Sequence, residues 1–445
     1  MERHKIDAEF GLYTEAMSTT NARTGDPVEA PDTGFASIAI FLIGLFAGLA
    51  MVLVGFRSQS FVHDRFDPYQ FGEMGASIAR GNGFTGWGTL LSRRAPLYPI
   101  VIGGVYFAFG EHPFLVQLLQ SAMLGGTCWL VFDMGRRVFN RRTGLLAGIA
   151  CALHPMMLRY VADLQLETQL TFLFTLTVWC TVRVYRTPTV ANGALVGIAG
   201  GFAALTKAVV VLYPALFSCL WLAMDVVWLR YREKAVSKLP AVAAILTGMM
   251  VVIAPWTLRN YRASGHFVLI STGLSDAFLR GYIFSKTDYA LLRKPPYTDA
   301  ENETNAWFEQ LGREAGTEWA KDDYETEQLL SRAAKEKLRS DPGAFLRKFG
   351  VGLFTFWYEM TSFANSLLAG IFALGAWILA FIGARRGWRE RRPAWLFLLP
   401  AIQLNLLLAA LLALGRYSAP VVPSLIVLSA FGLDWLLVRG KESHV

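Results

Sequence analysis

The chain has 445 residues, of which 54% are hydrophobic and 17% charged. Its apolar residues fall in blocks near the ~20 residues that a bilayer-crossing helix requires, which excludes a soluble globular protein. The net charge of +8 does not mark a nucleic-acid binder: Lys and Arg sit in short clusters between apolar blocks, and no basic, aromatic-interleaved surface domain is there to carry that role.

The fold class expected is an all-α polytopic membrane protein of about 10 transmembrane helices. Residues 1–34 are polar and mixed in charge and read as a disordered cytoplasmic tail, and the block from Phe35 to Phe56 is long enough to span rather than serve as a secretory signal. Spans are expected at about 35–56, 114–135, 143–160, 166–186, 191–206, 208–229, 239–257, 366–384, 394–414 and 419–437. This gives a transmembrane module at 35–257 with a first outer loop at 57–113, a large outer loop at 258–365, C-terminal transmembrane helices at 366–438 and a tail at 439–445.

Starting inside, this topology puts Arg136, Arg137, Arg141, Arg142, Arg183, Arg186, the run from Arg385 to Arg392, and Arg439 in the cytoplasm, as the positive-inside rule requires. The segment from Pro96 to Gly110 is the decisive one, because counting it as a full span would reverse everything downstream. It is short, begins Pro-Leu-Tyr-Pro and contains Gly103-Gly104, so a half-inserted or interfacial helix is expected. Similar helices are expected at 67–81, with Phe71, Met74 and Ile78 on one face, at 319–340, and from Phe345 to Trp357 after the breaker Asp341-Pro342-Gly343. The four cysteines, Cys128, Cys151, Cys180 and Cys219, lie inside apolar blocks and suggest no disulfide framework. The loop at 258–365 is too long for a passive connector and reads as a lid or acceptor platform.

Candidate chemistry gathers at the outer helix ends. Asp64 and Asp67 are three residues apart and able to reach one ligand, as proton acceptors or as oxygen ligands of a divalent cation. Asp67 before Pro68 equally suits the start of a helix, where a carboxylate caps free N–H groups. Asp163 and Glu167 form a second acidic pair, and His154 before Pro155 is either a supporting acid or ligand or a hydrogen-bonded packing residue. Lys207 follows an apolar run and precedes another, so its burial calls for an anion such as a lipid phosphate. Arg93, Arg94, Arg259 and Arg416 invite the same reading, against the alternative of snorkelling to headgroups. Trp87, Trp256 and Trp357 read as interfacial-belt residues. No nucleotide-binding loop is present, which argues against a nucleotide-sugar or ATP-driven reaction.

Several motifs in order then carry a resemblance. Asp67-x-Tyr69, Ala79-Arg80-Gly81-Asn82-Gly83-Phe84, Arg94-Ala-Pro-Leu-Tyr-Pro99 and Gln117-Leu-Leu-Gln120 resemble the first luminal loop of the protein O-mannosyltransferase and lipid A aminoarabinose transferase superfamily, of GT-C fold. The similarity continues through Gly135-Arg136-Arg137, His154-Pro155, Glu167, the run from Ala254 to Tyr261, and Gly415-Arg416-Tyr417. The resemblance implies an inverting glycosyltransferase that takes a sugar from a polyprenyl-phosphate donor. Its acceptor would be a protein, lipid or polysaccharide on the non-cytoplasmic face of a plasma membrane, the periplasmic side of a bacterial inner membrane. It implies Asp67 as base or acceptor-orienting acid, Asp163 as the second-loop acid, Arg94 and Lys207 with Arg259 as donor-phosphate contacts, and His154, Glu167, Tyr69 and Arg416 in support. Many relatives carry two adjacent acids where this chain has Asp67-Pro68, which leaves open whether Asp64 substitutes and whether a metal on Asp64, Asp67 and Asp163 takes part. A transporter or flippase of lipid-linked sugars and a non-catalytic lipid-binding relative are the alternatives; clustering at helix ends and the lack of inverted repeats count against transport.

Overall fold

The computed structural model describes residues 34–58, 66–86, 89–90, 93–228, 232–294, 298–316 and 323–442. The expected tail up to residue 33, Asp64, Trp87 and Trp319 lie outside the described residues, as do the side chains of Asp67, Tyr69 and Arg439. By compactness the chain divides into Met1–Ala39, whose described part is the first turn of helix α1 (Phe35–Ser58), and Ile40–Val445, which holds the rest.

Of the ten expected spans, six meet the length and hydropathy of a membrane-crossing helix: α1, α4 (Pro113–Val138), the segment Ala208–Val226 containing α9 (Leu212–Ala223), α10 (Arg232–Ser264), α15 (Phe363–Arg389), and Gly415–Val438 containing α17 (Val422–Glu442). A seventh is bent. The block expected as one helix at 143–160 is α5 (Arg141–Ala152) and α6 (Pro155–Ala162), meeting at 46°. Pro155 removes an N–H and restricts the residue before it, so the first helix stops short of His154.

The other three depart for different reasons. Helix α7 (Glu167–Arg186) has 20 residues, about 30 Å at 1.5 Å per residue, but is rich in threonine. Thr168, Thr171, Thr175, Thr177 and Thr181 are buried, with Thr177 and Thr181 bonding back to the preceding turn, so neighbouring helices rather than lipid surround this helix. Helices α8 (Val190–Thr206) and α16 (Trp395–Ala410) have 17 and 16 residues, and each runs into a 3-10 or coil segment at one end of the bundle. Helix α10, by contrast, reaches 33 residues where 19 were expected, carrying Pro240 and Pro255 within it. Close helix approach rests on small residues: a Cβ on Gly197 of α8 would stand 2.1 Å from the Ile245 carbonyl oxygen of α10.

The juxtamembrane helices form as their periodicity predicts. Helix α2 (Phe66–Ala79) buries Phe71 and Met74 against α3 (Leu97–Phe109), which has 13 residues and is too short to span. Between them lies a feature absent from the sequence reading, an antiparallel ladder of β1 (Thr85–Gly86) and β2 (Thr89–Leu90), pairing Thr85 with Leu90. The large outer loop folds into α11 (Leu274–Phe284), α12 (Thr298–Glu314), α13 (Asp323–Ser340) and α14 (Pro342–Tyr358). Glu327 of α13 accepts the N–H groups of Gly273 and Ser275 at the start of α11, an anion placed at the positive end of a helix. Lys348 of α14 is buried over the Phe278 ring and donates to the Phe278 carbonyl at 2.9 Å, which clasps α11 to α14.

The two ends of the bundle differ in chemistry. At one end Asp133 bonds Arg136 and Arg137 and accepts from Trp179, while Asp434 gathers Asn140, Arg142 and Arg386. Basic clusters far apart in sequence thus meet on the face assigned to the cytoplasm by the positive-inside rule. Glu167 and Arg186 are the first and last residues of α7, so the acidic pair expected outside lies about 28 Å away.

Candidate functional site

Helix α4 builds the floor of this opposite end. Gln117 and Gln120, one turn apart, turn their amides toward the last turn of α6, whose carbonyls lack helical partners. Gln117 donates to the Ala162 carbonyl at 2.6 Å, and Gln120 to the carbonyls of Val161 and Asp163 at 2.8 Å each. Tyr98 of α3 donates its hydroxyl to Gln120 at 2.6 Å. Burial, then the field of Glu167 and more weakly that of Asp163, raises the Tyr98 phenol well above its ordinary pKa, so it remains a donor. Asp163 is fully buried as the C-terminal cap of α6, and Glu167 is the buried first residue of α7. The two acids flank a break between helices and do not share one turn.

Above this floor lies α2. Phe71 meets Tyr98 edge-on at 5.2 Å, and Gly72 faces the Leu164 side chain next to Asp163. Arg94 donates to Gln70 at 2.7 Å and covers the Phe71 ring at 5.3 Å. Asp67 is the second residue of α2, three before Gln70, so its backbone stands about one turn from the residue that Arg94 reaches.

Lys207 occupies a break where α8 ends in an extended residue and a 3-10 turn begins. Its ammonium lies 3.4 Å from the centre of the Tyr417 ring. Arg416 donates to the Tyr417 hydroxyl at 3.1 Å with its guanidinium 4.9 Å from the same ring. Gln169 donates to Thr206 at 3.1 Å, tying the Glu167 end of α7 to the residue before Lys207. Two cations from distant parts of the chain therefore converge on one phenol at the acidic end of the bundle.

Arg259 has a different set of partners. It stacks on Trp256 at 4.6 Å and on Phe84, so it braces α10 against the hairpin loop. Trp256 itself meets Phe84 edge-on and donates to the Ile270 carbonyl, a packing role alongside the expected belt role. Arg93 pairs with Asp276 at 3.0 Å, and Asp276 also holds Arg280, which joins the first loop to the large outer loop. His154 stands just before α6, a helix length of about 13 Å from Asp163. It borders a different feature: an apolar cavity of about 210 Å³ among α6, α15 and the start of α17, with Met156, Arg159, Trp357, Phe372 and Ser418 in its wall. The Arg159 Nε is buried there with no hydrogen-bond partner among the described residues. Ser418 places this cavity two residues from Arg416.

Among the described residues no three His, Cys, Asp or Glu side chains come together as metal ligands. Asp163 is the one acid of the expected cation set whose side chain is described.

No motif or spacing pointed to Glu359, the buried residue that ends α14. Its carbonyl accepts from Gly415 at 2.7 Å, while neither carboxyl oxygen has a hydrogen-bond partner among the described residues. Burial pushes this carboxyl up to about 8 from an ordinary 4.5. Between these values the folded chain holds a proton that the unfolded chain has released. Stability present below pH 4.5 is therefore lost as pH rises toward 8. Glu359→Gln is expected to flatten this pH dependence, raising the melting temperature at pH 8 relative to wild type and leaving it near wild type at pH 5, as thermal unfolding across pH in detergent measures.

Residues 93–258 match the family model for dolichyl-phosphate-mannose-protein mannosyltransferase. A search of curated proteins finds no match. The fold is that of the archaeal oligosaccharyltransferase AglB from Archaeoglobus fulgidus: its structure with an inhibitory peptide and a dolichol-phosphate superposes with a TM-score of 0.55 at 13% identity, over 92% of this chain and 52% of that one. The apo form of the same enzyme gives 0.56 at 14% identity, over 92% and 52%. The chain thus spans about half the length of these enzymes. ArnT from Cupriavidus metallidurans bound to undecaprenyl phosphate is also similar, at TM-score 0.39 and 16% identity over 89% of this chain and 77% of that one. The family match covers residues 93–258, and the likeness to the oligosaccharyltransferase is one of fold.

Proposed function

We propose that the protein transfers a sugar from a polyprenyl-phosphate carrier to an acceptor on the non-cytoplasmic face of a plasma membrane, with inversion at the sugar. The observation that carries this reading is the convergence of Lys207 and Arg416 on Tyr417 at the acidic end of the bundle, beside an apolar cavity bounded by Ser418. Cations next to an apolar recess suit a ligand with a phosphate head and an isoprenoid tail. The dolichol-phosphate in the archaeal oligosaccharyltransferase supports a carrier of that kind here.

In this account the donor enters sideways from the bilayer and its first isoprene units occupy the cavity. Lys207 and Arg94 face the phosphate, and Arg416 supports Lys207 through Tyr417. As the glycosidic C–O bond breaks, negative charge grows on the departing phosphate, and fixed cations in a water-poor site stabilise it. Asp67 takes the proton from the acceptor hydroxyl or amine as that atom attacks the anomeric carbon in line. Asp163 is held by Gln120 as the second acid of the site. The large outer loop, anchored through Arg93 and Asp276, is the element that selects the acceptor.

Binding of the carrier tests this reading. Polyprenyl phosphate is expected to raise the melting temperature of the purified protein in detergent, and a nucleotide sugar to leave it unchanged. Stabilisation by the nucleotide sugar alone would overturn the proposal.

A further inference from the structure

The arginine-rich end of the bundle holds a second cavity, unrelated to the proposed reaction. A cleft of about 470 Å³ is lined by Arg137, Val182, Arg183, Arg186, Thr187 and Asn192, where the C-terminal end of α7 meets the start of α8. Asp133 is the acid nearby, and Arg136 and Arg137 share it. Among the described residues neither Arg183 nor Arg186 pairs with a carboxylate. Arg183 lies over the Trp179 ring at 4.8 Å, and Arg186 donates to the Arg137 carbonyl at 2.8 Å. That bond ties Arg186 to the Arg137 backbone, and the three arginines line one concave surface, where an anion would meet Arg183 and Arg186 without a paired carboxylate in competition.

An apolar track leaves the same cleft. One turn beyond Asn192, the exposed residues Leu195, Ile198 and Phe202 follow one face of α8 toward the opposite end of the bundle. A cationic cleft continued by an apolar stripe fits an amphiphile better than a soluble anion. The positive-inside rule assigns this end to the cytoplasm, where the leaflet surface is anionic. We propose that the cleft binds the phosphate headgroup of an anionic phospholipid of the cytoplasmic leaflet, with Arg183, Arg186 and Arg137 on the phosphate and an acyl chain along α8. Arg forks match phosphate oxygens in pairs, so the site should favour anionic over zwitterionic lipid.

Native mass spectrometry of the full-length protein, titrated with phosphatidylglycerol or phosphatidylcholine, tests this. Wild type is expected to retain phosphatidylglycerol at least about fivefold better, a preference in line with charge-assisted phosphate contacts. The double variant Arg183→Gln/Arg186→Gln is expected to bring the two lipids level, whereas Arg385→Gln/Arg389→Gln, at the same end but outside the cleft, keeps the preference. Equal retention by wild type, equal loss in both double variants, or displacement of the lipid by millimolar inorganic phosphate would each overturn the proposal, the last by making this a soluble-anion site. If the double variant does not fold, Arg183→Lys gives the same reading: charge is kept but the fork is lost, and an undiminished preference counts against the site.

Discussion

Asp67→Asn is expected to lower sugar transfer by about 10²–10⁴-fold, the range in which a positioned general base contributes, while the protein inserts and melts as wild type does. The substitution separates the two roles that the position admits. Asp67 is the second residue of α2, where an acidic side chain can satisfy free N–H groups. Asn caps about as well as Asp, so a residue that only capped would tolerate the change and transfer would stay near normal. A base cannot tolerate it, because the amide takes no proton. Asp67→Glu keeps the charge on a longer arm and is expected to recover part of the rate. The measurement is transfer by purified protein, with the melting temperature as the control.

Lys207→Met should cost about 10²–10³-fold in kcat/KM for the lipid donor, the scale seen when one group stabilising transition-state charge is removed. Met retains much of the stem and its packing while removing the charge. The contact with Tyr417 at 3.4 Å contributes about 0.5–2 kcal/mol as a cation–π pair, and removing a charge from between two apolar runs offsets part of that loss. The melting temperature is therefore expected to move little while the rate collapses. A snorkelling lysine would show the opposite pattern, with transfer within about twofold of wild type. Kinetics with varied donor concentration and thermal unfolding read the two quantities separately.

The sequence exposed those parts of the protein that depend on local composition. Long apolar blocks marked α1, α4, α10 and α15, and the short, Pro- and Gly-punctuated segment at Pro96 was separable from them because it lacks the length to cross. The amphipathic periods of α2, α13 and α14 were visible for the same reason, and the expected start of α13 at 319 lies outside the described residues. Charge clusters separated a basic end from an acidic one, and Asp133 and Asp434 pair with part of the basic set.

Features that depend on partners distant in sequence were not legible. Helix α7 is polar because other helices shield it, and nothing within 167–186 states which neighbours those are. The pairing of Lys207 with Tyr417 spans 210 positions and that of Arg93 with Asp276 spans 183. The ladder from Thr85 to Leu90 is too short to leave a period-two pattern. Arg159 and Glu359 escaped because isolated charges beside apolar residues look like interfacial ones until their burial is known. The structure also redistributes the expected set: Arg94 reaches Gln70 of the helix that carries Asp67, and Lys207 joins Arg416. Arg259 braces the hairpin loop, and His154 borders the apolar cavity.

The most direct measurement follows the carrier itself. Purified protein is reconstituted in vesicles with a radiolabelled polyprenyl-phosphate sugar, and both the lipid and the sugar are quantified. Free polyprenyl phosphate is expected to appear in step with sugar transferred to acceptor or water, and Asp67→Asn to prevent both. Movement of intact lipid-linked sugar between leaflets with no release of polyprenyl phosphate would contradict this and identify a transporter instead.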